Sequence, residues 1–396
     1  MPNLWWQDKA AITGIGQAEY GLALGRSETD LAAEAITRAV QDAGLRMADI
    51  DGISCYSTQV EGSNNWVHQR LGIGNASYYV SVAHGGGGYP AVVGAGALGV
   101  AGGQCRHLIA YRSRARGRRS SWGPDSHMGG RPWEKFRPNL IDTWQYHVPF
   151  GLTSPVQEIA MIAKRLMHQR GVTEEHFANV AVAARKHASR NPAAIMREVI
   201  GVRQHRASRM VAEPLRLLDC CLESDGAAAV VISRTEEAKS MPRPPALLHA
   251  FAQHVQPAHY HMTEWFRMDR DALASGLGRR LFEQSDVRHD GIAAAMLFDH
   301  FTPMVLLSLE DLGFCGRGEG GAFSEGGALE WPDGRLPVNT HGGQLSEAFV
   351  HGFNNVLEAV RQIRGTSSAQ VPGAKAVLVA GAASDPSSAI ILRGDV

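Results

Sequence analysis

The sequence has little of what would commit it to a simple class. Neither charge is in excess: 39 Lys and Arg stand against 39 Asp and Glu in 396 residues, a formal net charge of +0. No global field draws such a chain to nucleic acid or to an anionic membrane, so any site for a polyanion has to be local. Cysteine is scarce, with Cys55, Cys105 and Cys315 alone and Cys220 beside Cys221. That pattern offers no CxxC pair for zinc or redox work and suits reduced, buried thiols. Long apolar runs are missing, and residues 1–9 (MPNLWWQDK) show no basic stretch followed by an apolar one. Neither a signal peptide nor a membrane span is expected, and a cytoplasmic location follows. What is there is ordinary globular composition, 44% hydrophobic and 20% charged, enough for one large or two medium domains.

The pattern along the chain is α/β. Residues 10–16 (AAITGIG) form a short apolar run that breaks at glycines, and 27–43 carries Leu31, Ala35, Ile36 and Val40 at helical spacing behind Ser27, Thr29 and Asp30. A second strand is expected at 78–82, a helix of small apolar residues at 91–101 and a third strand at 107–111, which together read as parallel βαβ units. From Arg112 to about Ile200 the rhythm gives way to polar loops, aromatics and amphipathic helices over 155–170 and 174–187, as in an insertion over a sheet. A loop at 218–225 and an apolar strand to Ile232 close the first half, and the charged, proline-bearing stretch 234–245 reads as a linker. The plan then repeats, with strands near 247–251 and 291–297, helices near 269–285 and 302–312, a helix over 346–364, and closing strands at 375–380 and 388–392. Two related halves are expected, 1–235 with an inserted region at 112–205, and 246–396.

Two glycine clusters adjoin in SVAHGGGGYPAVVGAGALG, residues 81–99. Gly94, Gly96 and Gly99 fit a dinucleotide spacing, yet they fall inside a helix rather than in the turn where N–H groups would face a pyrophosphate. Close helix packing is their expected use. Gly85, Gly86, Gly87 and Gly88 occupy the strand-to-helix elbow itself. Unpaired N–H groups there suit an oxyanion or a thioester carbonyl, and a tight turn needing positive φ would serve equally well as a reason for them.

Six stretches, AITGIG (11–16), DAGL (42–45), ESDGAAA (223–229), FDHF (298–301), LEDLGFC (309–315) and PVNTHGGQLS (337–346), span almost the whole chain. In this order they resemble the thiolase superfamily, and within it the lipid-transfer-protein-like branch related to the thiolase domain of sterol carrier protein x. The resemblance implies a thiolase fold with a duplicated five-layer αβαβα core, an inserted loop region over the active site, a homodimer and a coenzyme A thioester as ligand. The departures say more. Thiolases attack with a cysteine at the elbow, where this chain has His84-Gly85-Gly86-Gly87-Gly88, with Gly85 the nearest counterpart. The Asn or His ahead of an acidic residue is here Phe298, the Gly-His-Pro position reads Ala348-Phe349-Val350, and the late second cysteine falls near Gly381. Without a thiolate no acyl-enzyme forms in the usual way, and ordinary thiolysis is not expected. The steroid side-chain aldolases of this branch cleave a β-hydroxyacyl-CoA by a retro-aldol step and carry a motif similar to residues 339–348. That branch often places tyrosines where this chain has Phe298 and Phe349, and phenylalanine cannot transfer a proton.

A retro-aldol cleavage needs a base for the β-hydroxyl proton and a group that stabilises the departing thioester enolate. By the resemblance the third position of FDHF faces the pocket, which makes His300 the candidate base, with Asp299 either orienting it or capping a helix. His84 and His341 lie on loops that such a fold brings to the same site, as donors to the thioester oxygen beside Gly85–Gly87. Phe298, Phe301, Phe349, Gly342, Gly343 and Gly381 are expected against the substrate, and His351 is expected to cap or pack in its helix. Each histidine has a plain alternative as a hydrogen-bonded structural group.

Arg112–Arg119 could meet CoA phosphates or a partner, though a solvated loop is the favoured reading. His259 and His261 lack a third ligand at useful spacing, so no metal is expected, while Tyr260 offers a substitute phenol. Trp122, Trp133, Trp144 and residues 146–151 suit a wall for a bulky acyl group, or core packing. The function expected is a carbon–carbon lyase acting on a bulky β-hydroxyacyl-CoA such as a steroid side-chain thioester, with coenzyme A entering only as part of the substrate. A CoA-dependent acyltransferase or Claisen-type enzyme, or a catalytically silent acyl-CoA-binding subunit, is the alternative. The resemblance also implies a small partner protein with an OB-fold and a zinc ribbon.

Overall fold

The structure, a computed structural model, describes residues 4–56, 64–82, 86–115, 150–152, 154–255, 276–383 and 386–394. Its strands are β1 (Ala10–Gln17), β2 (Gly52–Tyr56), β3 (Tyr78–Val82), β4 (His107–Arg114), β5 (Met210–Ala212), β6 (Leu215–Arg216), β7 (Gly226–Arg234), β8 (Ala246–His254), β9 (Ala294–Leu297), β10 (Ala376–Gly381) and β11 (Ser387–Arg393). The helices are α1 (Glu28–Asp42), α2 (Asn64–Leu71), α3 (Gly88–Ala101), α4 (Pro155–Arg170), α5 (Glu174–Ala188), α6 (Val202–Ala207), α7 (Thr235–Ala238), α8 (Leu277–Phe282), α9 (Thr302–Asp311), α10 (Gly320–Phe323), α11 (Gly343–Ser346) and α12 (Phe353–Arg364). Strand β2 and helix α2 have no counterpart in the expectations above. The stretch read as a linker holds α7, whose Ala238 is buried.

The repeat is visible in how the strands pair. The sheet runs β3-β2-β4-β7-β1-β8-β11-β10-β9, and its midline is the β1/β8 pair. Outward from β1, the pairings with β7, β4 and β2 are antiparallel, antiparallel and parallel. Outward from β8, those with β11, β10 and β9 follow the same sequence. Helix α3, which leads into β4, therefore corresponds to α12, which leads into β10.

Alternation along the strands builds the layers. In β7, Ala228, Val230 and Ile232 join a central core with α3 and α12, while Ala227, Ala229 and Val231 join an outer core with α1. In β10, Val377 and Val379 join the same central core, and Leu378 and Ala380 face the other outer core with α4, α5 and α9. Helix, one wing of the sheet, paired helices, the other wing and helix thus form the five layers of a thiolase fold.

Close approach between layers depends on glycine. In α3, a Cβ at Gly94 would lie 2.5 Å from the Phe251 ring and one at Gly99 2.4 Å from the Tyr78 ring, so these glycines pack a helix rather than cradle a phosphate. Helix α3 also starts at Gly88, three residues earlier than expected, because Pro90 sits in the first turn, where a missing N–H costs nothing. The helix expected over 346–364 spans only Phe353–Arg364. Left-handed backbone at His351 (φ 51°) and Gly352 (φ 81°) interrupts it and leaves 347–352 as an irregular turn.

Between β1 and α1 the contact is backbone to backbone: a Cβ on Gly16 would fall 2.0 Å from the Ala35 carbonyl oxygen. Gly16→Ala is expected to destabilise the fold by about 2–3 kcal/mol in urea unfolding. Gly74→Ala, with nothing within 4 Å of the added methyl, is expected to change stability by less than about 0.5 kcal/mol.

Candidate active site

The carboxyl ends of the parallel strands of both halves converge where the chain leaves β2 at Tyr56, β9 at Leu297 and β10 at Gly381. Asn339 fixes the first residue pair of this region. Its Oδ1 accepts from the Leu297 N–H at 2.8 Å and its Nδ2 donates to the Leu297 carbonyl at 3.0 Å, closing the end of β9 as another strand would. Phe298, Asp299 and His300 follow directly.

Asp299 turns inward. It is fully buried, and its carboxylate accepts from the N–H groups of Gln344 (2.8 Å) and Leu345 (3.3 Å), capping α11. Burial pushes its carboxyl up to about 7, with the two main-chain donors pulling the other way. Gln344 carries the link onward: its Nε2 donates to Asn354 and Asn355 in α12, and its Oε1 accepts from the Gly352 N–H at 3.1 Å. The 339–346 motif is thus a frame, and it holds two short segments at fixed separation, 298–300 and 347–352.

The loop 219–224 stitches these segments together. Buried Asp219 accepts from the Thr302 hydroxyl at 2.7 Å and pairs with His205 at 2.7 Å, tying the loop to the start of α9. The Cys221 N–H donates to the His300 carbonyl (2.9 Å) and the Phe349 N–H to the Ser224 hydroxyl (2.7 Å).

The result is a row of four rings. His300 stacks on Phe298 at 4.5 Å, Phe298 lies 6.2 Å from Phe349, and Phe349 meets His351 edge-on at 4.8 Å. Phe301 packs edge-on to the outer side of His300 at 5.1 Å. Removal from water holds the His300 imidazole down at about 4, so it is neutral at working pH, and its buried Nδ1 has no hydrogen-bond partner among the described residues.

Beside this row sits the elbow. Gly86 and Gly87 form the turn into α3, and Gly87 presses on the start of β11 so closely that a Cβ there would lie 2.2 Å from the Pro386 carbonyl oxygen. A Cβ on Gly381 would lie 2.4 Å from the Gly87 Cα. The Ser388 hydroxyl donates to the Gly87 carbonyl, and the Tyr89 hydroxyl to the Ala380 carbonyl at 2.6 Å.

Other expected positions fall elsewhere. His341 is fully buried in a polar cluster, where Asn354 (3.3 Å) and Glu347 (3.5 Å) reach its Nε2, and burial pushes it down to about 4. The space beside Gly342 is taken by Ala188 and that beside Gly343 by the Asp299 carboxylate, so both serve the turn into α11. His84, Gly85, Trp122, Trp133, Trp144, residues 116–119 and 146–149, and His259–His261 lie outside the described residues.

The run Arg112–Arg119 departs from its favoured reading at its first residues. Arg112 and Arg114, read as part of a solvated loop, are buried residues of β4, which runs three residues further than expected. Arg112 reaches the Tyr56 carbonyl and His351, and lies over the Tyr56 ring at 4.8 Å. Period-two extension of β4 would have found it, since Leu108, Ala110 and Arg112 share the face toward α3. Among the described residues no three His, Cys, Asp or Glu side chains are grouped to hold a metal, and no helix is long and apolar enough to cross a membrane.

A family model described as "Thiolase C-terminal domain-like" matches residues 254–392. The chain is 42% identical to a "Steroid side-chain-cleaving aldolase" of Thermomonospora curvata over 389 residues, 98% of each chain. It is 41% identical to a "17-hydroxy-3-oxo-4-pregnene-20-carboxyl-CoA lyase" of Mycobacterium tuberculosis, over 97% of this chain and 99% of that one. A solved structure titled "Ltp2-ChsH2(DUF35) aldolase" superposes with a TM-score of 0.89 at 40% identity, covering 99% of both chains.

The buried Asp299 carboxyl makes a pH prediction. Because its folded value near 7 lies above the ordinary 3.8, its contribution to stability is full below about 4 and is lost as pH rises through 7. The unfolding free energy of the wild type relative to Asp299→Asn is expected to fall by up to about 4 kcal/mol between pH 4 and pH 7.5, as read by denaturant titration.

Proposed function

Since the chain belongs to the thiolase superfamily, in the lipid-transfer-protein-like branch that holds the steroid side-chain-cleaving aldolases, we propose that it is a carbon–carbon lyase. Its substrate is a β-hydroxyacyl-CoA with a bulky apolar acyl group, a steroid side-chain thioester being the type its relatives' names describe, and the reaction is a retro-aldol cleavage. One observation carries this reading: the chain has glycine where a thiolase has its nucleophile, and just past the end of β9 the neutral His300 imidazole holds a buried Nδ1 with no hydrogen-bond partner among the described residues. Cys105, Cys220 and Cys315 do not replace the missing thiolate, since burial pushes each thiol up to about 12.

His300 is the base in this reading. Its stack on Phe298 and the edge of Phe301 exclude water, and its low basicity keeps it free of a proton until the β-hydroxyl delivers one. Phe298 and Phe349 shape an apolar wall for the acyl group and carry no proton themselves. The N–H groups of the elbow and the start of α3 face the thioester. Asp299 acts through the frame, by holding α11.

The assembly we propose is a homodimer of two-halved chains, 1–235 and 246–396, with a small OB-fold and zinc-ribbon partner beside it. The likeness to the two-component Ltp2-ChsH2(DUF35) aldolase supports the partner.

His300→Ala is expected to lower the rate of β-hydroxyacyl-CoA cleavage by roughly 100-fold or more, with the far-ultraviolet circular dichroism unchanged. Chromatography of the ketone and of the shortened acyl-CoA, with and without the partner, reads the rate. Unchanged turnover removes His300 from the chemistry.

A further inference from the structure

Two residues beyond Arg112, the same strand carries a second buried arginine that the reading above leaves without a task. Leu108 and Ala110 belong to the central core and Ile109 and Tyr111 to the outer one, and β4 pairs with β7 without a shift as far as Arg114 opposite Gly226. Alternation therefore puts Arg114 on the central side of the sheet, with Arg112. Arg114 is 3% exposed, its buried Nε has no hydrogen-bond partner among the described residues, and no described carboxylate forms an ion pair with it. The acids nearest to it along the strands are bonded on the other face. Glu28 of α1 accepts from the Ala115 N–H at 3.2 Å and Asp225 from the Leu24 N–H at 2.8 Å, and both Ala115 and Leu24 pack on the outer core. A guanidinium keeps its charge throughout the accessible pH range. Buried without a counter-charge it destabilises the free protein, and an anion that binds it removes that cost.

Two ties place this charge near the row of rings. Along β4, Arg112 reaches His351 at the end of the row, and Arg114 lies two residues, about 7 Å, further toward the carboxyl end of the strand. Across to β7, its register partner Gly226 stands two residues after Ser224, whose hydroxyl accepts from the Phe349 N–H at 2.7 Å. Gly226 itself presents no side chain toward the guanidinium. A carboxylate matches a guanidinium charge for charge and accepts two parallel N–H bonds from its fork. The phosphates of coenzyme A bring more charges and more acceptor oxygens than one buried guanidinium satisfies. Resting on the retro-aldol reading, we propose that Arg114 is a specificity-determining residue that binds a carboxylate at the far end of the acyl group. The substrate is then a β-hydroxyacyl-CoA with an apolar body and an acidic end. Phe298 and Phe349 receive the body, and Arg114 selects by charge.

The test compares two polycyclic β-hydroxyacyl-CoA thioesters that differ only in a terminal carboxylate or carboxamide, together with the same pair lacking the β-hydroxyl, which bind without being cleaved. In the full-length wild type, kcat/KM for the first pair and Kd for the second are expected to favour the carboxylate by roughly 100-fold. Arg114→Met is expected to bring both ratios near one, and Arg114→Lys to keep part of the preference. Arg114→Met is also expected to raise the urea midpoint of the ligand-free protein, since an unpaired buried charge is gone. Equal treatment of the two thioesters by the wild type, a preference that survives Arg114→Met, or a lower urea midpoint in that variant overturns the proposal. So does an Arg114→Met variant that binds both acyl-CoA thioesters less tightly but the matching pantetheine thioesters as the wild type does, because the guanidinium then serves the coenzyme A phosphates. A preference in Kd without cleavage of either hydroxylated thioester overturns the lyase reading and leaves the carboxylate site standing.

Discussion

Two hydrogen bonds between the Asn339 side chain and the main chain of Leu297 set the geometry on which the site depends. They finish a four-residue strand that is flanked by β10 on one side and bridged by the 337–339 segment at Ala295 on the other, and they do so at the point where the chain must stop being sheet and present side chains. Everything that follows is referred to that point. Asp299 fastens α11 to it, Gln344 in α11 fastens α12 and the 347–352 turn, and the loop through Cys221 and Ser224 bonds to both segments. A buried polar network of this kind is costly unless each member is paired, and for that reason it admits few arrangements. The frame is rigid because its alternatives leave amides and carboxylates unsatisfied.

The same burial that makes the frame expensive determines its chemistry. Out of water an imidazole gives up its proton easily, and His300 is held neutral at any working pH. A carboxyl loses ionisation by the same effect, and Asp299 keeps its charge only to the extent that two backbone donors offset the loss. The site thus contains neutral bases, a fixed buried cation in Arg112, and phenyl rings where a proton-carrying ring would otherwise stand. Such a set suits the proposed passage of one proton out and back across a breaking carbon–carbon bond. It does not supply a nucleophile for acyl transfer at the elbow.

Much of the fold was legible because both wings of the nine-stranded sheet send alternate residues to opposite cores. The pattern of 107–111 and 227–232 marks strands buried on two faces, and the spacing of 28–42 and 155–170 marks amphipathic helices. The errors have physical causes. Ala348, Val350 and Phe353 continue the apolar period of α12 backwards, so nothing in the residue types announces that the helix begins only at Phe353. Positive φ at a histidine is a tertiary outcome, enforced here by Gln344 binding the Gly352 N–H and by Arg112 binding the ring. Arg112 itself was hidden by the rule that arginine belongs at the surface, which holds until a strand carries one into a layer with a carbonyl and an imidazole to receive it. The position of His300 just past the end of β9 was legible from its motif, whereas the position of His351, expected within a helix and set before α12 by left-handed backbone, was not. Gly342 and Gly343 were misleading in the opposite sense, since glycine marks close packing against protein as often as closeness to a ligand.

The central claim is that a thioester is held at a sulfur-free bend and cut by proton movement alone. The direct measurement is incubation of the unmodified protein, with and without the proposed partner, with a β-hydroxyacyl-CoA in the absence of free coenzyme A. Small products and intact protein mass are followed together. The account predicts ketone and shortened acyl-CoA in equal amounts and a protein mass that never changes. An acyl adduct on the protein, or product formation only when free coenzyme A is supplied, would contradict it.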